Sequence, residues 1–264
     1  IKDGSRKVLE LHFNKYFRIQ YGRHGLLGLA DRLRTKQDER IVRKFDSFVV
    51  LTEEDKGYWG ELPNIETIPN AAITTEASQS DCTAHRVIAV GRLDYQKGFD
   101  RLIEAWSIVK KDSEYSDWQL DIFGQGEWKD MLERMIQEKG LASSAHINKP
   151  TNDIWNEYAS SSFLVMSSHF EGLPMVMIEA MTCGLPAVTF DFKCGPKDII
   201  EDGKNGLLVP DGNVLTLAEA MKRLMSDESL RRKMGTEALK IKEKYSEEAV
   251  MGRWIKLFEK LTKE

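Results

Sequence analysis

Two charged residues stand in a glycine-flanked stretch, Gly91-Arg92 followed by Lys97-Gly98, directly after the apolar run RVIAV at 86–90. The run predicts a buried strand, so the loop presents Arg92 and Lys97 at the carboxyl end of that strand. A guanidinium can hold a phosphate through two parallel hydrogen bonds, and a lysine adds a mobile point charge. The stretch therefore indicates a phosphate site, although two solvated loop charges would produce the same pattern.

A second stretch, 168–181, runs from the end of a predicted strand into a predicted helix and carries two glutamates, Glu171 and Glu179. Gly172 allows the backbone to come close to a ligand, and Pro174 suits the first turn of a helix. The start of that helix offers free N–H groups and a positive dipole to an anion. Glu179 lies inside a very apolar helix, where a carboxylate needs partners such as sugar hydroxyls or a nearby Arg or Lys.

Motifs that would indicate another chemistry are weak or missing. Gly124-Gln125-Gly126 follows a strand but lacks the third glycine and the acidic residue of a dinucleotide fingerprint, so it predicts a tight turn close to the ligand. Gly195-Pro196 begins another loop and helix at the same predicted sheet end. The chain contains no Asp-x-Asp, no phosphate-loop motif, no GxSxG and no HExxH, and its three cysteines have no CxxC spacing. These residues predict neither a metal site nor a cofactor.

From residue 86 onward, short apolar runs alternate with amphipathic helix patterns. Strands are predicted at 86–90, 120–123, around 147, 163–166, 187–190 and 207–209. Helical stripes lie between them at 102–109, 128–136 and 175–183, and three more helices follow the last strand. Apolar strands without alternation, interleaved with helices, indicate a parallel sheet covered on both faces. The prediction is a doubly wound α/β domain over 80–245, which binds its ligand at the carboxyl ends of the strands.

The first 80 residues have a different pattern, with strands predicted at 8–13 and 47–51, and the segment 65–68 ends this block. Residues 30–45 have the pattern of a charged helix with a thin apolar side, which consists of Leu33, Ile41, Val42 and Phe45. Two or three βα units cannot cover a sheet, and they would leave a long open edge. We therefore expect this block to dock on the larger domain, to pair with another chain, or to be the tail of a domain whose beginning is absent.

The composition is that of a globular protein with enough apolar residues for a core, 41% hydrophobic and 30% charged. A net charge of −4 argues against a dedicated nucleic-acid binder, which is usually basic. No apolar run reaches the length of a membrane span, and the polar start at residues 1–4 resembles no signal peptide. With few cysteines, these features predict a cytoplasmic location. Six basic residues between 32 and 44 leave two interpretations open, peripheral contact with the inner face of a membrane or a solvated helix face.

Taken together, the motifs resemble those of the family 4 glycosyltransferases, which have the GT-B fold. The resemblance covers nearly the whole chain from IPN at 68–70 onward. It rests on GRLDYQKG at 91–98, IFGQGE at 122–127, SSHFEGLPMVMIEAMTCGLPAV at 167–188 and EDGKNGLLVPDG at 201–212. The stretch FDSFVVLTEED at 45–55 is similar to the last strand and helix of the family's N-terminal domain.

The resemblance implies three parts. Residues 1–78 would be a remnant of a Rossmann-like, acceptor-side N-terminal domain, and 79–245 a Rossmann-like donor-binding domain. Residues 246–264 would form a helix that crosses back to the N-terminal domain. The chain begins with Ile and lacks the Gly-rich loop of the family's N-terminal domain, so we expect it to be a fragment or a processed product.

The implied activity is a retaining transfer of a hexose from a nucleotide sugar, by family frequency a UDP-sugar, to a glycan or lipid-linked acceptor in surface polysaccharide synthesis. By the resemblance, Arg92 and Lys97 hold the diphosphate and stabilise its leaving charge, and Glu171 faces the donor sugar; these are the three expected catalytic residues. The expected donor-binding residues are Gly91, Asn148, Thr151, Gly172, Leu173, Pro174, Met175 and Glu179. Among them, Glu179 would bind ribose hydroxyls, and 148–151 would lie near the base. Oriented cations and dipoles would stabilise the leaving diphosphate without a metal or cofactor.

Two interpretations stay open at this point. The chain is either the donor-binding half of an enzyme that is active at full length, or a non-catalytic module that binds a nucleotide sugar. A phosphorylase of related fold would need a lysine-bound pyridoxal phosphate, and no motif marks such a lysine. No obligate protein partner is indicated.

Overall fold

The computed structural model describes residues 3–20, 22, 24–73 and 79–263. Within these residues, the chain forms two parallel sheets, one of three strands and one of six. The domain boundary expected between residues 78 and 79 adjoins 74–78, which lie outside the described residues. The three-part division of the chain therefore stays a prediction.

The smaller sheet has the order β1-β2-β3, with each strand parallel to its neighbour. Its strands are β1 (Val8–Leu11), β2 (Ser47–Val50) and β3 (Ile65–Thr67). The connecting helices are α1 (Phe17–Gln20), α2 (Gly25–Val42) and α3 (Glu53–Trp59). Both predicted strands are present, and the segment that ends the block forms a third strand. The strand expected at 8–13 ends at Leu11, and residues 12–15 form a loop instead.

The predicted apolar side of the charged helix is only partly correct. α2 begins at Gly25 and ends at Val42, and it buries Asp31, Thr35 and Val42. Val42 packs in the apolar cluster of the smaller sheet, as its place on the apolar side suggested. Leu33 is 59% exposed and Ile41 is 37% exposed, and no described element covers the leucines of this helix.

The larger sheet has the order β6-β5-β4-β7-β8-β9, and all of its neighbouring strands are parallel. These strands are β4 (Arg86–Val90), β5 (Gln119–Phe123), β6 (Ala145–Asn148), β7 (Phe163–Met166), β8 (Ala187–Phe190) and β9 (Gly206–Val209). The six strand predictions and the doubly wound α/β fold are confirmed. The strand order reverses between β4 and β7, which creates a switch point at the carboxyl ends of these two strands.

Helices cover both faces of this sheet and enclose one large hydrophobic core. They are α4 (Phe99–Val109), α5 (Lys129–Glu138), α6 (Ile154–Ala159), α7 (Met175–Thr182), α8 (Pro196–Ile199), α9 (Val214–Ser226), α10 (Glu228–Ala238) and α11 (Lys242–Tyr245). The last helix, α12 (Glu247–Lys263), lies outside this core. The predicted stripe of α4 is confirmed, since Leu102, Ile103, Trp106 and Val109 are all fully buried.

The smaller sheet docks on the larger domain in two ways. α12 leaves the larger domain and packs Val250, Leu257 and Leu261 against Val49 and Ile68 of the smaller sheet region. In addition, the carboxylate of Asp198 on α8 accepts a hydrogen bond from the N–H of Glu53, at the start of α3, at 2.8 Å. Of the three expectations for the N-terminal block, docking on the larger domain is the one observed.

Candidate functional site

The candidate residues meet where the strand order reverses. The loop after β4, at 91–98, carries Arg92 and Lys97, and the loop after β7, at 167–174, carries Glu171. Both loops leave the carboxyl ends of neighbouring parallel strands, and a crevice at such a switch point is the usual ligand position in open α/β sheets. The topology of the sheet therefore brings together residues that are far apart in the sequence.

Gly98 holds the two loops against each other. Its backbone has a φ of +59°, and a Cβ atom at this position would lie 2.3 Å from the carbonyl oxygen of Ser167. Just before it, the carboxylate of Asp94 accepts a hydrogen bond from the N–H of Lys97 at 3.3 Å and caps a short 3₁₀ turn. Both the left-handed backbone and the close approach require glycine, which explains the glycine of the Lys97-Gly98 pair.

Lys97 and Glu171 form an ion pair in the crevice. Nζ of Lys97 lies 2.7 Å from Oε1 of Glu171, and the two side chains are 14% and 8% exposed. Ser168 Oγ donates to the same carboxylate oxygen at 2.8 Å, and Gln96 Nε2 donates to the other oxygen at 3.0 Å. Three donors thus compensate the burial of this carboxylate. An anion that enters the crevice can replace Glu171 as the partner of Lys97.

Arg92 is the exposed cation of the site. Its side chain is 66% exposed, and Nη2 lies 3.2 Å from the carboxylate of Asp94. The same nitrogen donates to Gln96 Oε1 at 2.8 Å, so that Gln96 connects Arg92 with Glu171. An exposed arginine with surface partners can turn toward a phosphate at little cost, because such surface pairs contribute little stability.

A cavity of about 400 Å³ opens beside these loops, and Glu179 lies in its wall. Tyr158 Oη donates to Glu179 Oε2 at 3.4 Å, which is a long hydrogen bond. Desolvation raises the pKa of Glu179, and the bond from Tyr158 and the charge of Lys97 oppose this effect only in part. The carboxylate therefore has capacity to accept hydrogen bonds from hydroxyl groups. The cavity is lined by Val90, Gly91, Arg92, Phe123, Gly124, Gln125, Pro150, Thr151, Ile154, Tyr158 and Glu179.

Of the expected donor-binding residues, Gly91, Thr151 and Glu179 share this cavity with Arg92. Asn148 does not line it, because its amide donates to Asp121 Oδ1 at 3.0 Å and the residue faces a neighbouring cavity beside α5.

The remaining expected donor-binding residues lie in the loop after β7 and at the start of α7. Leu173 and Pro174 are buried there. The N–H of Met175 donates to the carbonyl of Leu173 at 2.9 Å, so a ligand that uses this N–H has to replace this bond.

The loop after β1 lies directly on Gly172. A Cβ atom at Gly172 would be 2.4 Å from the carbonyl oxygen of His12 and 3.3 Å from Cα of Phe13. Asn14 Nδ2 donates to the carbonyl of Glu171 at 2.7 Å. The N-terminal block thus touches the glutamate loop itself, and the glycine is needed for close packing of two backbones.

Comparisons with known proteins agree with this geometry. Residues 73–241 match the family described as glycosyl transferases group 1. The matched region contains both loops of the switch point and the whole larger sheet. The chain belongs to this glycosyltransferase family.

Similar proteins act in the synthesis of surface polymers. The chain is 34% identical to the amylovoran biosynthesis glycosyltransferase AmsD of Erwinia amylovora, over 96% of the chain and 75% of AmsD. It is 35% identical to an exopolysaccharide phosphotransferase of Streptomyces coelicolor, over 82% of the chain and 23% of that protein. A TarM variant of S. aureus, crystallised with fondaparinux, alpha-GlcNAc-glycerol and UDP, superposes with a TM-score of 0.83 at 28% identity. This superposition covers 97% of the chain and 51% of that protein, so the chain spans about half of TarM and less than a quarter of the phosphotransferase.

The fold of this glycosyltransferase is of the GT-B type, as the resemblance implied. Several residues of its site were not predicted from the sequence. Gln96 and Ser168 stand inside the two motifs, and their polar side chains beside Lys97 and Glu171 were a usable signal. Tyr158 lies in the polar stretch before β7 and belongs to none of the motifs. Asn14 had no signal at all, because 157 positions separate it from Glu171.

Two further observations concern metals and membranes. Among the described residues of this glycosyltransferase, no group of three or more His, Cys, Asp or Glu side chains is arranged to hold a metal ion. Also within the described residues, no helix combines the length and the apolar character needed to cross a bilayer.

Proposed function

We propose that this protein binds a nucleotide sugar at the β4–β7 switch point and transfers its hexose, with retention, to a glycan or lipid-linked acceptor in surface polysaccharide synthesis. The observation that carries the proposal is the buried ion pair of Lys97 and Glu171. Lys97 lies against Gly91, which lines the cavity that also holds Arg92 and Glu179. The UDP in the TarM complex supports a uridine donor.

The charges of the site fit a diphosphate. Lys97 exchanges the carboxylate of Glu171 for a phosphate oxygen, and exposed Arg92 turns from Asp94 to the same group. Two cations at the leaving diphosphate stabilise the negative charge that develops on it as the glycosidic bond breaks. In this proposal the two cations perform the task of a metal ion, and the reaction requires no metal.

The two glutamates take different parts of the donor. Glu179 lies in the wall of the cavity and accepts hydrogen bonds from ribose hydroxyls, which replace its long bond from Tyr158. Glu171 is released by Lys97 when the diphosphate binds, and it then faces the sugar from the loop after β7. Phe123, Pro150 and Ile154 provide apolar surface for the base. Asn148, which faces the neighbouring cavity, has no part in this arrangement.

Calorimetric titration of this chain with UDP, GDP and ADP tests the donor site. We expect UDP to bind, and Arg92→Ala and Glu179→Ala each to weaken binding about 10- to 100-fold, because a hydrogen bond to a charged group contributes about 1.5–3 kcal/mol. The matched control is Arg232→Ala, which removes an exposed arginine that pairs with Glu228 on its own helix. Equal binding by Arg92→Ala and Arg232→Ala would remove Arg92 from the site.

The alternative function is binding of a nucleotide sugar without transfer, for which the same cations and glutamates would suffice. Incubation of the chain with UDP-hexoses and a glycan acceptor, followed by measurement of released UDP, separates the two. Release that is lost in Glu171→Gln, while UDP still binds, supports transfer. UDP-hexose binding with no release supports the binding module.

A peripheral membrane contact is part of the acceptor side of this proposal. Leu26, Leu27, Leu29 and Leu33 on α2 are between 55% and 86% exposed. Two of the three acids of this helix are paired, Asp38 with Arg18 and Glu39 with Lys15, and the third, Asp31, is buried. The basic residues of the helix are Arg32, Arg34, Lys36 and Arg40, and Arg43 and Lys44 follow directly after its end. Exposed leucines beside basic residues suit the surface of an anionic bilayer.

Sedimentation with lipid vesicles tests this contact. We expect the chain to bind vesicles that contain phosphatidylglycerol but not neutral vesicles, and the double variant Leu26→Ser, Leu33→Ser to lose the binding. If neither kind of vesicle binds the folded chain, the proposed membrane contact is wrong, and the exposed leucines fit a protein partner instead.

A further inference from the structure

Asn14 lies in the loop after β1, and it is 1% exposed although its side chain is polar. Its amide nitrogen donates to the carbonyl of Glu171 at 2.7 Å and to Gln20 Oε1 at 2.9 Å. Its amide oxygen accepts a hydrogen bond from the N–H of Tyr16 at 2.9 Å. Each polar atom of this side chain therefore has a partner, and one partner is the backbone of the glutamate in the crevice.

The other end of the same loop is held by Asp55 on α3. Asp55 Oδ1 accepts a hydrogen bond from the N–H of Lys15 at 2.7 Å, and Oδ2 accepts one from Trp59 Nε1 at 3.2 Å. The carboxylate is 2% exposed. Nζ of Lys15 donates to the carbonyl of Tyr58 at 2.7 Å, which ties the loop to α3 a second time. The loop is thus anchored on a helix of the N-terminal block before it reaches the crevice.

Glu171 is consequently held from two sides. Lys97, Ser168 and Gln96 hold its carboxylate, whereas Asn14 holds its backbone carbonyl. When a diphosphate replaces Glu171 at Lys97, the carboxylate loses one of its three donors. The contact of Asn14 with the backbone does not involve Lys97, so it persists in the occupied site and keeps the glutamate loop in place.

We propose that Asn14 is a positioning residue for Glu171, and that Asp55 anchors Asn14 for this task. The proposal rests on the proposed function for its consequence, since the positioned carboxylate is the one that faces the donor sugar. Asn14 does not touch the donor in this arrangement. It acts through the backbone of Glu171.

Asn64 provides a matched control. Its amide nitrogen also donates to two backbone carbonyls, those of Val42 at 2.9 Å and of Phe45 at 3.0 Å. All of these contacts lie within the N-terminal block, away from the crevice. Asn14→Asp and Asn64→Asp each replace an amide donor with a carboxylate that faces a carbonyl oxygen, so they introduce the same kind of repulsion at two different places in the N-terminal block.

The experiment measures hydrogen exchange of the segment 168–175 and the affinity for a UDP-hexose in both variants and in the wild-type chain. We expect Asn14→Asp to speed exchange in this segment at least tenfold and to weaken UDP-hexose binding more than UDP binding. Asn64→Asp should leave both properties unchanged, even at an equal loss of melting temperature. Where Asn14→Asp does not fold, Asn14→Ser removes the same contact without adding a charge.

The outcomes separate this inference from the proposed function. If the wild-type chain binds no nucleotide, the proposed function fails, while the exchange data still decide whether Asn14 holds the loop. If the wild-type chain binds UDP-hexose and Asn14→Asp exchanges and binds like Asn64→Asp, the positioning role is overturned.

Discussion

α4 and α2 differ in the residues that they bury. α4 packs Leu102, Ile103 and Trp106 into the core with no exposed surface. α2 buries Asp31 and Thr35, together with Val42 at its end, and leaves its leucines in solvent. Both helices have an apolar stripe in the sequence, but only α4 has a complete sheet beneath that stripe. An apolar stripe therefore predicts that a helix forms, whereas the direction in which the stripe faces depends on the layers that are present.

The larger domain and the N-terminal block also contribute different kinds of contact to the crevice. The larger domain provides its charged side chains from motifs that are continuous in the sequence. The N-terminal block contributes backbone atoms of His12 and Phe13 and the amide of Asn14. The charged side chains can be predicted from residue types in the sequence. The backbone contacts depend on how the two parts of the folded chain pack together. Three predictions test this contrast, from the largest effect to the smallest.

The largest effect is expected from one substitution made on each helix. Leu102→Ala on α4 should lower the free energy of unfolding by about 2–5 kcal/mol, because it leaves a cavity in a closed core. Leu33→Ala on α2 should change it by less than about 0.5 kcal/mol, because this side chain is exposed. Urea denaturation of both variants measures the difference. A loss of several kcal/mol in Leu33→Ala would mean that α2 is covered in solution.

The second effect concerns the pH dependence of the N-terminal block. Desolvation raises the pKa of Asp55 from 3.8 to about 6, despite hydrogen bonds from Lys15 and Trp59. The charge of Lys15 lowers this pKa and that of Glu54 raises it. Because the folded protein binds this proton more tightly than the unfolded chain, Asp55 favours folding fully below about pH 4 and loses this contribution as the pH rises to about 6. The shift corresponds to about 3 kcal/mol.

Asp55→Asn removes this titration and keeps the shape of the side chain. We expect the stability of the variant to change less between pH 4 and 6 than that of the wild-type chain, by up to about 3 kcal/mol. Denaturant unfolding at a series of pH values measures both curves. Curves of equal slope would show that Asp55 titrates in its ordinary range.

The smallest effect on stability is expected from substitutions of two glycines by alanine. Gly172→Ala places a Cβ atom 2.4 Å from the carbonyl of His12, so it should cost about 1–3 kcal/mol through forced separation of the two backbones. Gly57→Ala on α3 meets no atom within 4 Å and should stabilise the chain by up to about 1 kcal/mol. Thermal unfolding of both variants gives the comparison. Equal melting temperatures would mean that the loop after β1 does not rest on Gly172.

Most of the larger domain was predictable because its strands and helices are short apolar segments with clear ends. Arg92, Lys97 and Glu171 were predictable as a set, since motif and position at strand ends agree. The resemblance placed Asn148 in the donor site, but in the structure the side-chain amide of Asn148 donates a hydrogen bond to Asp121. A polar residue at the end of a strand has a choice of neighbours, and the register of the next strand decides which neighbour it meets.

The sequence by itself determined the parallel α/β fold, the loops that carry charge, and the membership in the glycosyltransferase family. These features are local, because each follows from the residue types within one strand, loop or helix. The tertiary structure alone decided that Lys97 pairs with Glu171, that α2 faces outward with its leucines, and that Asn14 reaches the backbone of Glu171. Such contacts join residues distant in the chain, and they arise only when the order of the strands brings two loops to one edge of a sheet.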